Sequence, residues 1–396
     1  MSWPLVKLGS IGEFKAGYGF PNKYQGETSG DMPFAKVGDI SEVARHGGKY
    51  ISEARNYINI DVLSQIKAKS VPVNTIVFAK IGEAIRQNFR AVTSVETVID
   101  NNSMGLVPNL NLIDVDYLYH FMCKLDLYRY TGATTVPAIR KSTLEDIEIP
   151  LPPLEEQKRI AAILDKADAI RRKRQQAIQL ADDFLRSVFL DMFGDPVTNP
   201  KGYPVNKLGT NCEDLFLGLT SKVDYVDGDN GYPLIRAKDI NKGELSFNEV
   251  KYISETQHKK LTKNHLTRKG DLLVSKSGTL GTCAIVRTER EFSTYESIFT
   301  VRPDVTKINL HYLIHLLQNR GFKKKLIGNK VGGTVAHLNL KMFRDFEIGI
   351  PPLEIQNEFS VKIIKCEEKI EKYRQSAIEA NLFFNSLTQK AFAGEL

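Results

Sequence analysis

The chain reads Ile147-Glu148-Ile149-Pro150-Leu151-Pro152-Pro153-Leu154-Glu155-Glu156-Gln157 near its middle and Glu347-Ile348-Gly349-Ile350-Pro351-Pro352-Leu353-Glu354-Ile355-Gln356 close to its end. In each copy a short β-type run meets prolines, which interrupt strands and helix interiors, and an acidic segment follows. The stretch therefore predicts the end of one domain and the start of a helix. Because it occurs twice, about 200 residues apart, it also predicts a duplicated chain.

Four further segment pairs repeat in the same order and with nearly the same offset. They are 3–9 with 203–209, 33–40 with 233–240, 76–82 with 272–278, and 132–136 with 332–335. A repeat of this length is far too long for a solenoid and indicates two related domains. The intervening segments 41–70 and 241–265 differ strongly, which favours one scaffold that presents two different recognition surfaces.

Long segments without proline or glycine follow both proline pairs. Apolar residues recur there every three or four positions, which is typical of helices that pair in a coiled coil. We therefore expect two helices of about 35–40 residues that pack antiparallel; the alternative is that each packs only on its own domain. The predicted seams comprise Ile160, Ile163, Ala167, Ile170, Arg174, Ala177, Ala181, Phe184 and Val188, and then Phe359, Ile363, Cys366, Ile370, Tyr373, Ala377, Ala380, Phe384, Leu387 and Ala391.

These patterns predict an α+β fold with four parts. They are a first mixed domain at 1–150, a central long helix at 151–194, a second mixed domain at 195–350, and a C-terminal long helix at 351–396. Short strands bounded by turn residues are expected in each domain, with one shorter helix near 114–130 and another near 309–326.

Composition and missing motifs narrow the function. A net charge of +7 and a pI near 9.0 favour an anionic partner such as nucleic acid. There is no apolar run of membrane-spanning length and no secretory signal pattern, so we expect a cytoplasmic protein. The sequence contains neither a phosphate-binding loop nor paired cysteines. His311 and His315 could share a helix face, but a third metal ligand is missing, so no catalytic or metal site is predicted.

Candidate DNA contacts lie at the repeated strand ends and loops. Lysine attracts phosphate without regard to sequence, arginine reads guanine, and glycine- and threonine-rich loops expose amides and hydroxyls. Ordinary alternatives are solvated lysines on β-turns and threonines that cap helices. Lys323, Lys324, Lys325 and Lys330 form an additional basic cluster. The candidates are Lys36, Lys80, Arg86, Arg90, Thr134, Thr135 and Arg140 in the first half, and Arg236, Lys238, Lys276, Ser277, Thr279, Asn329, Lys330, Thr334 and His337 in the second.

The order of these parts resembles the specificity subunits of type I restriction–modification enzymes. The resemblance rests on the stretch at 147–157, the run Asp271-Leu272-Leu273-Val274-Ser275-Lys276-Ser277-Gly278 and the segment 193–202, and it covers the whole chain. The copies differ in detail: the second has Ile355 where the first has Glu156, and the first has Ala79 and Ile81 where the second has Ser275 and Ser277.

The resemblance implies a non-catalytic subunit with two target-recognition domains, each reading one half of a split DNA site, while the helix pair fixes the gap. It also implies two modification subunits, which bind S-adenosylmethionine and methylate adenine, and restriction subunits that use ATP and Mg²⁺. No cofactor is expected on this chain itself. The alternatives are a self-sufficient DNA methyltransferase or nuclease, and a coiled-coil scaffold that binds only protein.

Overall fold

The structure is a computed structural model that describes residues 3–132, 135–220, 222–241, 243–276, 281–328 and 338–396. The chain divides into two compact units. The first unit consists of residues 1–176 and 374–396, and the second consists of residues 177–373. Each unit therefore contains one mixed domain together with part of both long helices.

The first unit begins with short strands and ends in helices. Its strands are β1 (Leu5–Lys7), β2 (Gly12–Ala16), β3 (Met32–Ala35), β4 (Tyr50–Ile51), β5 (Tyr57–Ile58), β6 (Ile76–Ala79), β7 (Arg90–Thr93), β8 (Val98–Ile99), β9 (Ser103–Pro108) and β10 (Glu148–Pro150). Its helices are α1 (Leu8–Ile11), α2 (Val37–Arg45), α3 (Ile60–Gln65), α4 (Val115–Lys124), α5 (Lys141–Glu145) and the first part of α6 (Leu154–Phe193), with 3₁₀ turns at Asn22–Tyr24, Glu83–Gln87 and Leu127–Tyr130.

Two sheets organise this unit. One has the strand order β2-β9-β6-β7-β4 and the other has the order β5-β3-β8, while β1 pairs antiparallel with β10. Strands β6 and β7 are buried along their whole length, so they lack the alternation of a half-exposed strand. The main apolar core lies between this sheet, α4 and the start of α6, and Tyr117 of α4 is among its largest buried side chains.

The second unit repeats this plan. Its strands are β11 (Val205–Lys207), β12 (Cys212–Leu217), β13 (Tyr225–Val226), β14 (Tyr232–Ile235), β15 (Ile240–Asn241), β16 (Glu244–Leu245), β17 (Lys251–Ile253), β18 (Leu272–Ser275), β19 (Cys283–Ile285), β20 (Ser293–Thr294), β21 (Ile298–Pro303) and β22 (Glu347–Gly349). Its helices are α7 (Glu255–Thr262), α8 (Leu310–Gln318), α9 (Arg320–Ile327), α10 (Leu340–Arg344) and the first part of α11 (Leu353–Ala393), with 3₁₀ turns at Leu208–Asn211, Gly228–Asn230 and Ala237–Asp239.

Its sheets correspond to those of the first unit. The orders are β12-β21-β18-β19 and β13-β17-β14-β20, and β11 pairs with β22 as β1 pairs with β10. The helix expected near 309–326 is interrupted at Asn319. That residue leaves the helical conformation, and its side chain accepts from the Phe322 amide to start α9. The region expected as a helix at 114–130 divides in the same way into α4 and a 3₁₀ turn.

The predicted long helices are present, with 40 residues in α6 and 41 in α11. The α6 helix follows directly after Pro153, carries Glu155 and Glu156 in its first turn, where the helix dipole favours acidic groups, and ends before Gly194 at φ 76°. The left-handed conformation of Gly194 suits a residue without a side chain.

The two long helices pair antiparallel. In the first unit Arg159 donates to the Leu396 carbonyl at 2.8 Å, while Arg171 lies over the Phe384 ring. Residues later in α6 therefore contact residues earlier in the C-terminal segment, as antiparallel packing requires. In the second unit Phe193 and Phe359 meet with ring centroids 5.1 Å apart. The predicted packing of the long helices on each other is confirmed.

The predicted seam of α6 was partly wrong. Ile170 and Phe184, which were assigned to the seam, are exposed, whereas Leu164, Ile178 and Leu185 are buried. Apolar residues spaced by three and four positions can define either of two adjacent stripes on the helix surface. Over much of α6, the buried stripe is displaced by one residue toward the C-terminus from the predicted one.

The repeated proline-rich stretch fastens each long helix to its domain through a glutamine. Gln157 is completely buried: its Oε1 accepts from the Asp114 amide at 2.8 Å, and its Nε2 donates to the Pro152 carbonyl at 2.8 Å. Gln356 is equally buried and makes the matching bonds to the Asn309 amide and the Pro351 carbonyl. The repeated motif is therefore explained by the fold, because these bonds hold the helix start against the N-terminus of α4 or α8.

Within the described ranges, the helices are too short or too polar to cross a bilayer.

Candidate nucleic-acid interface

Three strands of the first unit end at one edge of the domain. Strand β3 runs parallel to β8, with Phe34 opposite Val98, and the Asp100 amide donates to the Ala35 carbonyl at 3.0 Å. The backbone amide of Lys80, which follows β6, donates to the Asn102 carbonyl at 2.8 Å. These bonds bring Lys36, Lys80 and the turn at 100–102 together.

Lys36 is half-buried beside an aromatic pair. Its Nζ donates to Gln25 Oε1 at 2.6 Å and lies 5.4 Å from the centre of the Phe20 ring, which stacks on Phe34 at 3.8 Å. Its backbone amide donates to the buried carboxylate of Asp39 at 2.8 Å. The ammonium is thus held in place, and a cation beside an aromatic face is suited to phosphate or base contact.

The loop after Lys80 is joined to a second loop of the domain. Gly82, at φ 88°, donates its amide to the Pro137 carbonyl, and the Ile139 amide donates to the Lys80 carbonyl. Thr135 and Arg140 flank this joined segment and are exposed. Within the described part of the chain, the Lys80 ammonium has no ion-pair partner, so its charge is available to a ligand.

Arg86 lies on the 3₁₀ turn after Gly82 and is exposed, but its guanidinium already has local partners. It pairs with Glu83 at 2.8 Å, donates to the Tyr128 hydroxyl and stacks 3.6 Å from the centre of the Tyr128 ring. A contact with a base would therefore use the remaining N–H groups of the Arg86 guanidinium, whose orientation is set by Glu83 and Tyr128.

Arg90 corrects one sequence-based expectation, because it is only 3% exposed and is part of the interior. Its guanidinium donates to the Phe89 carbonyl and to Asn88 Oδ1, both at 2.8 Å. Burial lowers the pKa of Arg90 to about 10. Strand β7 is buried on all sides, so its first residue faces the core rather than DNA, and the prediction of a DNA contact at Arg90 was wrong.

The second unit builds the same edge with other side chains. Strand β14 runs parallel to β20, and the Tyr295 amide donates to the Ile235 carbonyl at 2.8 Å. The Lys276 amide donates to the Ser297 carbonyl at 2.7 Å, as the Lys80 amide donates to Asn102 in the first unit. Arg236 and Lys276 are thereby brought to one edge.

Arg236 and Lys238 take different positions at this edge. The amide and Nε of Arg236 both donate to the buried carboxylate of Asp239, at 2.9 and 3.3 Å, whereas Lys238 is exposed on the adjoining 3₁₀ turn. Asp39 and Asp239 thus accept hydrogen bonds from the backbone amides of Lys36 and Arg236 in the same manner, and Asp239 in addition orients the Arg236 side chain. Sequence reasoning did not single out these two aspartates, although both lie within the repeated pair 33–40 and 233–240.

The remaining candidates cannot be placed in the same way. Lys323, on α9, lies beside Gly281, while Lys324 and Lys325 are exposed on the same helix. Across the described parts of the chain, His, Cys, Asp and Glu side chains form no group that could hold a metal ion. The candidates that fall outside the described residues are Thr134, Ser277, Thr279, Asn329, Lys330, Thr334 and His337.

Comparison with known proteins gives these two edges a context. A family model described as the type I restriction modification DNA specificity domain matches residues 2–180 and again residues 218–380. The specificity subunit of the type I restriction enzyme MjaIX from Methanocaldococcus jannaschii is 24% identical, over 100% of this chain and 93% of its own length. The corresponding subunit of the EcoBI enzyme from Escherichia coli is 26% identical, over 67% of this chain and 62% of its own length.

A solved structure has the same fold. The crystal structure of the S subunit of a type I restriction-modification system from M. genitalium superimposes with a TM-score of 0.57 at 14% identity, covering 99% of this chain and 96% of the other. The family model matches both halves, in agreement with the duplication. The chain belongs to the type I restriction-modification specificity subunits, and its function is to provide DNA sequence specificity.

Proposed function

We propose that each unit reads one half of a bipartite site in duplex DNA through the edge at which its repeated strands end. One observation carries the proposal: the same backbone bonds present Lys36 and Lys80 in one unit and Arg236 and Lys276 in the other. The lysines supply phosphate attraction, and the dissimilar inserts beside them supply a different base preference in each unit.

The long helices act as the spacer in this proposal. A helix of 40 or 41 residues is about 60 Å long, longer than the roughly 34–36 Å that separates half-sites one DNA turn apart. The polar bonds of Gln157 and Gln356 support this role, because they fasten each helix start to its domain. The gap between half-sites would then follow helix length.

We propose further that the chain contributes no catalytic residue and docks two modification subunits, which would bind S-adenosylmethionine and methylate adenine. Restriction subunits using ATP and Mg²⁺ would join that core, and the complex would work in the cytoplasm. The proposal rests on the family and on the absence of a phosphate-binding loop from the sequence.

Two equivalent apolar positions support paired docking. Phe184 and Phe383 are 57% and 60% exposed, and each precedes by nine residues a buried phenylalanine that packs on a tyrosine of the adjacent short helix. Large exposed apolar side chains at matching places suit two copies of one partner.

Phe184→Ser and Phe383→Ser should each remove about one bound modification subunit per chain in native mass spectrometry. Val305→Ser, an equally exposed control, should leave two.

Selection from a random duplex library tests the proposed reading of DNA. The full chain, co-expressed with its modification subunit, should enrich one motif with two specified halves and a fixed gap. Exchange of residues 1–150 for those of a relative should change only one half. A single contiguous motif, or a change in both halves, would contradict the proposal.

A further inference from the structure

A cluster of charged side chains joins three elements of the first unit. Lys49, at the sheet edge beside β4, lies 2.7 Å from Asp116 Oδ1 on α4 and 3.1 Å from Asp165 Oδ1 on the long helix α6. His120 of α4 contacts the same Asp165 oxygen at 2.8 Å. Lys49 and His120 are only 7% and 2% exposed, whereas the side chains of Asp116 and Asp165 are 35% and 36% exposed, so each pair joins a buried nitrogen group to a half-buried carboxylate. We refer to Lys49, Asp116, His120 and Asp165 as the first cluster.

The charges of the first cluster are complementary. Burial alone would raise the pKa of Asp165, but His120 and Lys49 outweigh it and lower that pKa to about 2. Burial would likewise lower the pKa of Lys49, yet Asp116 and Asp165 raise it. About two turns further along α6, Arg172 donates to the Gly47 carbonyl at 2.7 Å. The loop between α2 and β4 therefore meets the long helix through directional polar bonds.

The second unit carries a cluster at the corresponding place. Glu367 of the long helix α11 lies 3.7 Å from His311 Nδ1 and 3.7 Å from His315 Nε2, both on α8. Arg287, which follows the edge strand β19, lies 3.7 Å from the same carboxylate. Burial alone would raise the pKa of Glu367, but the facing histidines lower it to about 2. We refer to Glu367, His311, His315 and Arg287 as the second cluster.

The two clusters share a design but not their residues. In each, a cation from the sheet edge and a histidine from the short helix meet a carboxylate on the long helix. His120 also lies against Phe384, and His315 against Phe189 and Phe359, so the imidazoles contact the apolar seam as well. His311 and His315, for which the sequence offers no third metal ligand, instead face the Glu367 carboxylate.

Apolar packing alone would not fix the angle at which a domain sits on a helix, because the hydrophobic effect is not directional. Polar pairs with at least one buried or half-buried partner are directional, and removal of one partner leaves the other poorly solvated, so such pairs favour one arrangement. We propose that the first and second clusters are positioning residues that hold each recognition domain at one orientation on the long helices, and thereby set the register between the half-sites. This inference rests on the proposed function.

The test measures gap discrimination. A change of one base pair moves a half-site by about 3.4 Å and turns it by about 35° around the duplex. The recognised motif is first identified by selection with the wild-type complex from the random duplex library. Asp165→Asn and Glu367→Gln complexes are then measured on duplexes with both half-sites and gaps up to three base pairs shorter or longer. Matched controls are Glu155→Gln and Glu358→Gln, which break exposed ion pairs on the same two helices.

We expect both cluster variants to keep the half-site sequences. Their preference for the wild-type gap over gaps one base pair different should fall about tenfold, the effect of about one misplaced base-pair contact. The controls should retain wild-type preference. Glu367→Asp, which retains the charge, should recover part of the preference. His120→Gln serves as a milder variant if Asp165→Asn folds poorly.

The outcomes separate the two levels of the proposal. Equal loss of binding at every gap, or preference unchanged in a folded variant, would overturn the positioning role. Absence of any bipartite motif with the wild-type complex would instead refute the proposed function itself.

Discussion

Lys80 and Lys276 offer a quantitative test of the DNA-binding edge. Both follow equivalent strands, and neither has an ion-pair partner among the residues that the structure describes. A lysine that neutralises one phosphate contributes about 0.9 to the slope of log K against log salt. At 0.15 M salt this corresponds to about fivefold in affinity for each lysine, and at 0.05 M to about fifteenfold. The two lysines lie in separate units, so their effects should multiply to about thirtyfold at 0.15 M.

The assay is a fluorescence-anisotropy titration of the complex between 0.05 and 0.3 M salt, with target and random duplexes. Lys80→Ala and Lys276→Ala should each reduce the salt slope by about 0.9, and to the same extent on both duplexes. Lys158→Ala, whose ammonium pairs with Glu155 on the long helix, should leave the slope unchanged. A loss confined to the target duplex, or an unchanged slope, would refute the assignment to phosphate.

Three further predictions follow from other parts of the fold. Arg90→Ala should lower the unfolding temperature of the first unit, because it empties a buried position and removes the hydrogen bonds from the guanidinium to Asn88 Oδ1 and the Phe89 carbonyl. The selected DNA motif should stay the same, and a changed motif would show that Arg90 contacts DNA. The pKa of Glu367 is lowered, so its ion pairs should stabilise the second unit by up to about 3 kcal/mol above about pH 4.5 and lose this contribution as the pH falls toward 2. In denaturant titrations at a series of pH values, the free energy of unfolding of Glu367→Gln should fall less steeply with acid than that of the wild type. Glu358→Gln should show the wild-type pH dependence. Matched insertions of seven residues after 176 and after 373 lengthen the helix pair by about 10.5 Å and should widen the gap between half-sites by about three base pairs. Selection from the random duplex library measures the gap, and an unchanged gap would exclude the spacer role.

The sequence predicts well what depends on local pattern. The proline-rich stretch marks both domain ends because proline stops strands, and uninterrupted helical spacing gives both long helices. The repeated segments also place Lys36, Lys80, Arg236 and Lys276 at or after the ends of matched strands, because matched segments fold alike. These predictions needed only short stretches of chain.

The sequence does not reveal what depends on partners far apart in the chain. His120 and Asp165 are 45 positions apart, Lys49 and Asp165 are 116 apart, and neither pair has a repeated sequence pattern. Arg90 has the chemistry of a guanine reader, and only the burial of β7 removes it from the surface. The seam of α6 was misplaced for a related reason, since its burial includes the polar Asp168 and excludes the apolar Ile170.

The duplicated framework separates what must stay the same from what can vary. At both edges the joining bonds run between backbone groups, such as the Lys80 amide to Asn102 and the Lys276 amide to Ser297, or from a backbone amide to a buried aspartate. Backbone bonds of this kind do not depend on which side chain the donor carries. Lys36 and Arg236 can therefore differ, and the neighbouring inserts can diverge, without altering the edge that presents them. Asp116, His120 and Asp165 lie outside the divergent segment 41–70, whereas Lys49 lies within it. A change of target sequence in the first unit should therefore leave the gap unaltered where it keeps Lys49.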